Sequence, residues 1–254
     1  MRIHTFVVGI IFALALLLFA QKRFSEQPRP SGFSAVLDLT HQVDQSPSRP
    51  RMQDTSKSLI AKTAATHLEA PSSFARGMWT VSAIPAERLV APLVVLDVRK
   101  QVQSNPDYQI SMQDLAGWEK VHGDIPQGAI VMAYTGSHQS SSFSTSRRST
   151  ARPMSAFPGS SLDAAEFLTE ARQIVGLGID TSSVDSGASP DSAVRDFTLS
   201  HSVYQLENVA NLGIVPPSGA TAVVAPAKLA NSSVAPVRIL ALVRSSAESR
   251  QDRD

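Results

Sequence analysis

Apolar residues along the chain fall into two kinds of pattern, short β-branched runs and stripes at helical spacing. Ala35–Leu39, Leu93–Val98 (LVVLDV) and Ala129–Tyr134 (AIVMAY) are runs of strand length, and Ala220–Ala225 and Val237–Val243 close the series. Leu177–Asp180 reads as a shorter strand. Ser111–Val121 predicts a helix, with Leu115, Trp118 and Val121 on one face and Ser111 and Asp114 spaced as a cap. Leu162, Ala165, Phe167, Leu168 and Ala171 make Ser161–Ile174 a second amphipathic helix, and Val194–Leu206 reads as a third, running into Glu207. Residues 44–57 are polar and turn-rich, Val184–Asp191 is a turn cluster, and residues 137–161, with ten serines and three arginines, form a long surface loop. Strands and helices alternate without a clean βαβ rhythm and without an internal repeat, so periodicity alone predicts an α/β or mixed sheet.

The N-terminus carries a different signal. Arg2 and His4 precede an apolar run from Phe6 to Ala20, which Gln21-Lys22-Arg23 ends. At ~1.5 Å per residue that run spans roughly 22 Å, short of a ~30 Å hydrocarbon core, and it matches the h-region of an export signal better than a spanning helix. Residues 1–20 are thus expected to direct export to the periplasm or outside, with an uncleaved membrane anchor as the alternative. Residues 21–33 read as a Pro-rich linker, 34–245 as one folded domain and 246–254 as a charged tail.

Composition narrows the function classes. Lys plus Arg number 23 against 22 Asp plus Glu, and Arg147-Arg148 is the longest basic cluster in the folded part, so nucleic acid is not an expected partner. The absence of cysteine removes thiol catalysis, thiolate metal sites and disulfides together. Gly176–Gly178 lacks the third glycine and the acidic partner of a dinucleotide loop, and no Gly-x-Ser-x-Gly elbow is present.

The densest candidate chemistry is Thr66-His67-Leu68-Glu69-Ala70-Pro71. If this segment is extended, His67 and Glu69 point the same way and both reach one cation; a solvent-exposed histidine beside a loop fits the spacing as well. Glu207 after an apolar stretch reads either as a buried carboxylate in need of a partner or a metal, or as an ordinary helix-end glutamate. Asp38-Leu39-Thr40-His41 sets polar groups past a strand end, where His41 serves substrate contact or a structural hydrogen bond.

These segments, in this order, resemble the metal-dependent cyclase family that includes kynurenine formamidase (arylformamidase). The resemblance runs from about Asp38 to Val243 and rests on DLTH, on the segment Thr63–Ser73 set against His-x-Gly-Thr-His-x-Asp-x-Pro-x-His, on Asn105–Gly136, on FPG (Phe157–Gly159), on GID (Gly178–Asp180) and on Leu206–Ala220. It implies a single-domain α/β fold, a barrel-like mixed β-sheet surrounded by helices, assembled as a homodimer or homotetramer. It implies His67, Glu69 and Glu207 as ligands of a divalent cation, zinc or manganese, while Thr63, Ser73 and Arg195 stand at expected histidine positions and Ala65 at the signature glycine. Half of the ligand set remains, enough for one cation rather than two. Glu69, Glu207 and Arg195 then make up the expected catalytic set, with Arg195 as a fixed charge for an oxyanion. Phe74 and Trp79 are expected to line the substrate pocket or to pack in the core. The implied activity is hydrolysis of a small amide or cyclic ester, of the N-formylkynurenine type; the alternative is a catalytically inactive relative kept as a binding or structural protein.

Overall fold

The computed structural model describes residues 32–42, 65–137 and 156–244. The expected export segment, most of the linker, Thr63, most of the serine-rich loop and the charged tail lie outside the described residues. Among the described residues, no helix is long and apolar enough to cross a membrane.

The described residues form ten strands: β1 (Phe33–Asp38), β2 (His67–Glu69), β3 (Val90–Asp97), β4 (Gln109–Ile110), β5 (Ile130–Tyr134), β6 (Gly159–Ser160), β7 (Gly176–Ile179), β8 (Tyr204–Glu207), β9 (Ala220–Pro226) and β10 (Val234–Arg244). Seven of them close a ring in the order β10-β2-β8-β7-β5-β3-β9, with β9 pairing back onto β10 and β1 lying against β10 from outside the ring. β3, β5, β7 and β8 are parallel neighbours, and the other pairings in the ring are antiparallel. Parallel neighbours need crossover connections, and here these carry the helices: α1 (Arg99–Ser104), α2 (Met112–His122), α3 (Leu162–Glu166) and α4 (Ala193–Ser200). β4 and β6 form a separate small sheet.

Period-2 alternation sorts the strand residues onto two faces. Leu93 and Val95 of β3, Ile130 and Met132 of β5, and Tyr204 and Leu206 of β8 fill the ring interior with Leu68, Val224, Val237 and Ile239. Val94 and Leu96, Val131 and Ala133, and Leu177 and Ile179 point outward and pack beneath Leu115, Trp118, Ala164, Leu168 and Val194 of the helices. The barrel-like mixed sheet with helices around it is therefore as the resemblance implies.

Local chemistry explains most element ends. The Ser111 hydroxyl accepts from the Asp114 N–H and the Asp114 carboxylate accepts from the Ser111 N–H, a reciprocal cap that starts α2 where expected. The helix expected over Ser161–Ile174 is shorter: beyond Glu166 it widens into a π-helical turn over Phe167–Ala171. The helix expected over Val194–Leu206 ends at Ser200, and Tyr204–Glu207 is strand β8. Ser202, with φ of 62°, breaks the helix in the left-handed region, and the side chains that follow alternate between the ring interior and the outer face. α1 and the short strands β4 and β6 carry too few residues for a periodic signal, and β1 starts one residue before the expected domain boundary, at Phe33.

Candidate active site

β2 and β8 pair antiparallel with His67 opposite Glu207, Leu68 opposite Leu206 and Glu69 opposite Gln205. Leu68 and Leu206 fill the ring interior, so alternation turns His67, Glu69, Gln205 and Glu207 together onto the outer face. There α4 covers them. Cross-strand partners on one face are close neighbours, and His67 Nε2 lies 3.0 Å from Glu207 Oε2. Both side chains are buried, at 2% and 8% exposure, so the solvent-exposed reading of His67 is set aside.

Each group is fixed from behind. His67 Nδ1 donates to the Ala65 carbonyl at 2.9 Å, which sets the ring tautomer and leaves Nε2 for Glu207. Glu207 also accepts from the Val184 N–H. Asn208, at φ 53°, turns the chain sharply after Glu207; its N–H donates to Thr181 O at 2.8 Å. The Thr66 hydroxyl donates to Asn208 O at 2.6 Å and accepts from the His41 N–H at 2.9 Å. His41 is thus placed beside the site through its backbone, on the residues that flank both His67 and Glu207.

Burial is the largest influence on Glu207 and pushes its pKa up; hydrogen bonding to His67 opposes the shift without cancelling it. Burial is also the largest influence on His67 and pulls its pKa down. Hydrogen bonding and charge from Glu207, the Ala65 carbonyl and the Glu69 charge outweigh it, and the net shift is upward. Both shifts mean that the pair holds on to a proton.

Arg195 reaches the same face from the first turn of α4. Its Nη2 lies 2.6 Å from Glu69 Oε1 and its Nε 3.0 Å from Glu69 Oε2, a two-point grip. Nη1 donates to Asp196 Oδ1 at 2.9 Å. Asp185 accepts from the N–H groups of Val194 and Arg195 at 2.9 and 3.2 Å and so caps α4. The FPG segment explains that placement: a side chain at Gly159 would lie 2.2 Å from the Ser186 backbone nitrogen, so only glycine lets the strand carry the Asp185 turn this closely. In the GID segment, the Asp180 carboxylate accepts from the Thr135 hydroxyl at 2.6 Å and from the Gly136 N–H at 2.9 Å, joining the ends of β5 and β7.

The chain matches the cyclase family over residues 37–186. It belongs to that family. The isatin hydrolase of Roseibium aggregatum is 26% identical over 193 residues, covering 73% of each protein. The structure of isatin hydrolase A from Labrenzia aggregata, bound to benzyl benzoate, is 28% identical with a TM-score of 0.68, over 83% of this chain and 94% of that one. The structure of a potential metal-dependent hydrolase with cyclase activity is 25% identical with a TM-score of 0.60, over 83% of this chain and 98% of that one. Its relatives are hydrolases, and this supports hydrolase activity for the chain.

Whether a cation fits depends on the donors. Two donors bound at ~2.1 Å to one octahedral cation stand about 3.0 Å apart, which is the separation of His67 Nε2 and Glu207 Oε2. A histidine whose other ring nitrogen donates to a carbonyl is oriented as a ligand, and His67 is so oriented. His67 and Glu207 therefore fit a divalent cation. Glu69 completes the set only when Arg195 releases it, and among the described residues no group of three or more acidic or histidine side chains stands ready for a metal. Ser73, at an expected histidine position, hydrogen-bonds Ser233 O at 3.5 Å instead. Asn231, in the turn before β10, takes the left-handed conformation at φ 55°.

The aromatic expectations divide. Phe74 is 47% exposed at the end of the turn after β2, open to a ligand. Trp79 packs against the ring interior with Arg88 5.3 Å over its ring, which is core packing. Asp185 and Val184 were not singled out from the sequence; they belong to the turn cluster, and nothing local marks them as supports of the site.

Proposed function

We propose that the chain is a metal-dependent hydrolase that opens a small cyclic amide or ester, with one divalent cation, zinc or manganese, held by His67 and Glu207. The observation that carries this reading is the buried, convergent His67–Glu207 pair, oriented from behind by Ala65 and Val184. A cation there would lower the pKa of a bound water toward ~7 and polarise a carbonyl. The chain itself fixes the imidazole tautomer and supplies Glu207 as compensating charge in a buried setting; Phe74, exposed after the turn that follows β2, is the proposed contact for an aromatic or apolar substrate. Isatin, the substrate in the relatives' name, is an aromatic cyclic amide, and that favours a ring-opening substrate over the open-chain N-formylkynurenine type. Export and assembly as a homodimer or homotetramer belong to the same proposal.

The Glu69–Arg195 grip favours a second reading, a relative that has closed its site and serves in binding or structure. Elemental analysis of the purified chain after incubation with zinc and manganese separates the two, together with a screen of cyclic amides and lactones. About one cation per chain, lost in His67→Ala along with more than a hundredfold of the hydrolysis rate, is the expected result. A chain that takes up no metal and hydrolyses none of these substrates leaves only the second reading.

A further inference from the structure

Arg195 stands at an expected histidine position and is not an idle replacement. Its guanidinium takes both oxygens of Glu69, at 2.6 and 3.0 Å, with the carboxylate 13% and the arginine 27% exposed. Glu69 lies two residues from His67 on the same face of β2, and its charge acts on both His67 and Glu207. The grip is also built to open. Nη1 already holds Asp196, whose side chain is 49% exposed, so the guanidinium has a carboxylate to stay with on the solvent side when it leaves Glu69. The backbone from which it swings is fixed: Asp185 caps α4 at the N–H of Arg195, and Gln205 Nε2 donates to the Arg195 carbonyl at 3.2 Å.

We infer that Arg195 is a tethered cation competing with the divalent ion for Glu69, so that the resting site is closed by an internal ion pair and metal uptake exchanges the guanidinium out to Asp196. The inference rests on the metal-dependent reading above. Its physical basis is competition for one carboxylate: the guanidinium occupies both Glu69 oxygens, so a cation bound by Glu69 has to take them from Arg195. A protein whose binding-competent state is a minor population binds with correspondingly reduced apparent affinity. Metal affinity in this chain is accordingly set by how often the Arg195–Glu69 pair opens, and the substitution turns a standing metal centre into one filled only at higher cation concentration.

The test is calorimetric titration of manganese and of zinc into the full-length chain and into Arg195→Gln, which keeps a hydrogen-bond donor for Glu69 and removes the charge. Arg195→Gln is expected to bind at least about tenfold more tightly than the natural chain, and its melting temperature to rise more steeply with added manganese. Adding Glu69→Gln to Arg195→Gln is expected to abolish that gain. Should Arg195→Gln not fold without metal, Arg195→Lys, which loses the two-point grip but keeps one charge, is expected to fall between. Equal or weaker binding by Arg195→Gln would overturn the exchange and leave the hydrolase reading intact. Binding by neither the natural chain nor any Arg195 variant overturns both.

Discussion

His67 and Glu207 are two titratable groups held in one buried contact, and both retain protons more strongly than they would in an unfolded chain. The sign of the consequence follows from linkage: where the folded state binds more protons than the unfolded state, stability falls as pH rises. For Glu207, stability is lost as pH rises above the ordinary carboxylate value of about 4.3; for His67, the contribution is complete below about 6.5 and disappears as pH passes the raised folded value. In chelator, the urea midpoint of the natural chain is therefore expected to fall relative to that of Glu207→Gln as pH goes from about 5 to 8. A difference between the two proteins that stays flat or grows across that range would show that the pair holds no extra proton. At this scale His67 and Glu69 were legible in the sequence, because an i, i+2 pair needs only an extended backbone to share a face. Glu207 was legible as a candidate buried carboxylate and gained its ligand role through the resemblance, but its partnership with His67 was not readable locally, since 140 positions of sequence separate two residues that β2 and β8 set directly opposite one another.

Among the elements, the strand β8 was hidden by its neighbour. Val194–Leu206 has a helical stripe because α4 really begins it, and the stripe continues past Ser200 by chance of composition. The decisive break at Ser202 is a backbone conformation, not a residue type that announces a turn. β7 shows the reverse case. Gly176 and Gly178 carry no phosphate loop; they make room inside the ring. A Cβ at Gly176 would stand 2.6 Å from the Tyr204 ring, and Tyr204 is fully buried with its hydroxyl donating to Arg88 O at 2.7 Å. The ring cannot retreat without giving up that bond. Gly176→Ala is accordingly expected to destabilise the protein by about 1–3 kcal/mol, read as a lower urea midpoint with an unchanged slope, whereas Gly117→Ala, at a position with nothing within 4 Å of the new carbon, leaves the midpoint unchanged or raises it. Equal midpoints for the two variants would mean that the ring interior is looser than these contacts describe.

The whole molecule is a ring with a core on each side of its wall, and the wall was the least legible part. Closure depends on β10, which pairs with β9 next to it in sequence but also with β2 and β1, at the other end of the described chain. Such pairings leave no periodic trace, so the barrel followed from family resemblance and not from the apolar pattern. The same wall predicts how the protein unfolds. β3 and β5 give alternate side chains to the inner and the outer cluster, while β7 faces the outer cluster and β8 the inner one within the same sheet, so neither cluster survives the loss of the other. Trp79 packs against the inner cluster and Trp118 lies in the outer one, where its indole N–H donates to Val95 O at 3.0 Å. Trp79→Phe and Trp118→Phe therefore each leave one reporter on one side of the wall. In each variant, urea unfolding followed by the remaining tryptophan is expected to coincide with that followed by far-UV circular dichroism, as a single cooperative transition. If the Trp118 signal moved at lower urea than the dichroism in Trp79→Phe, the helical layer would be peeling from an intact ring, and the shared strands would not couple the two cores.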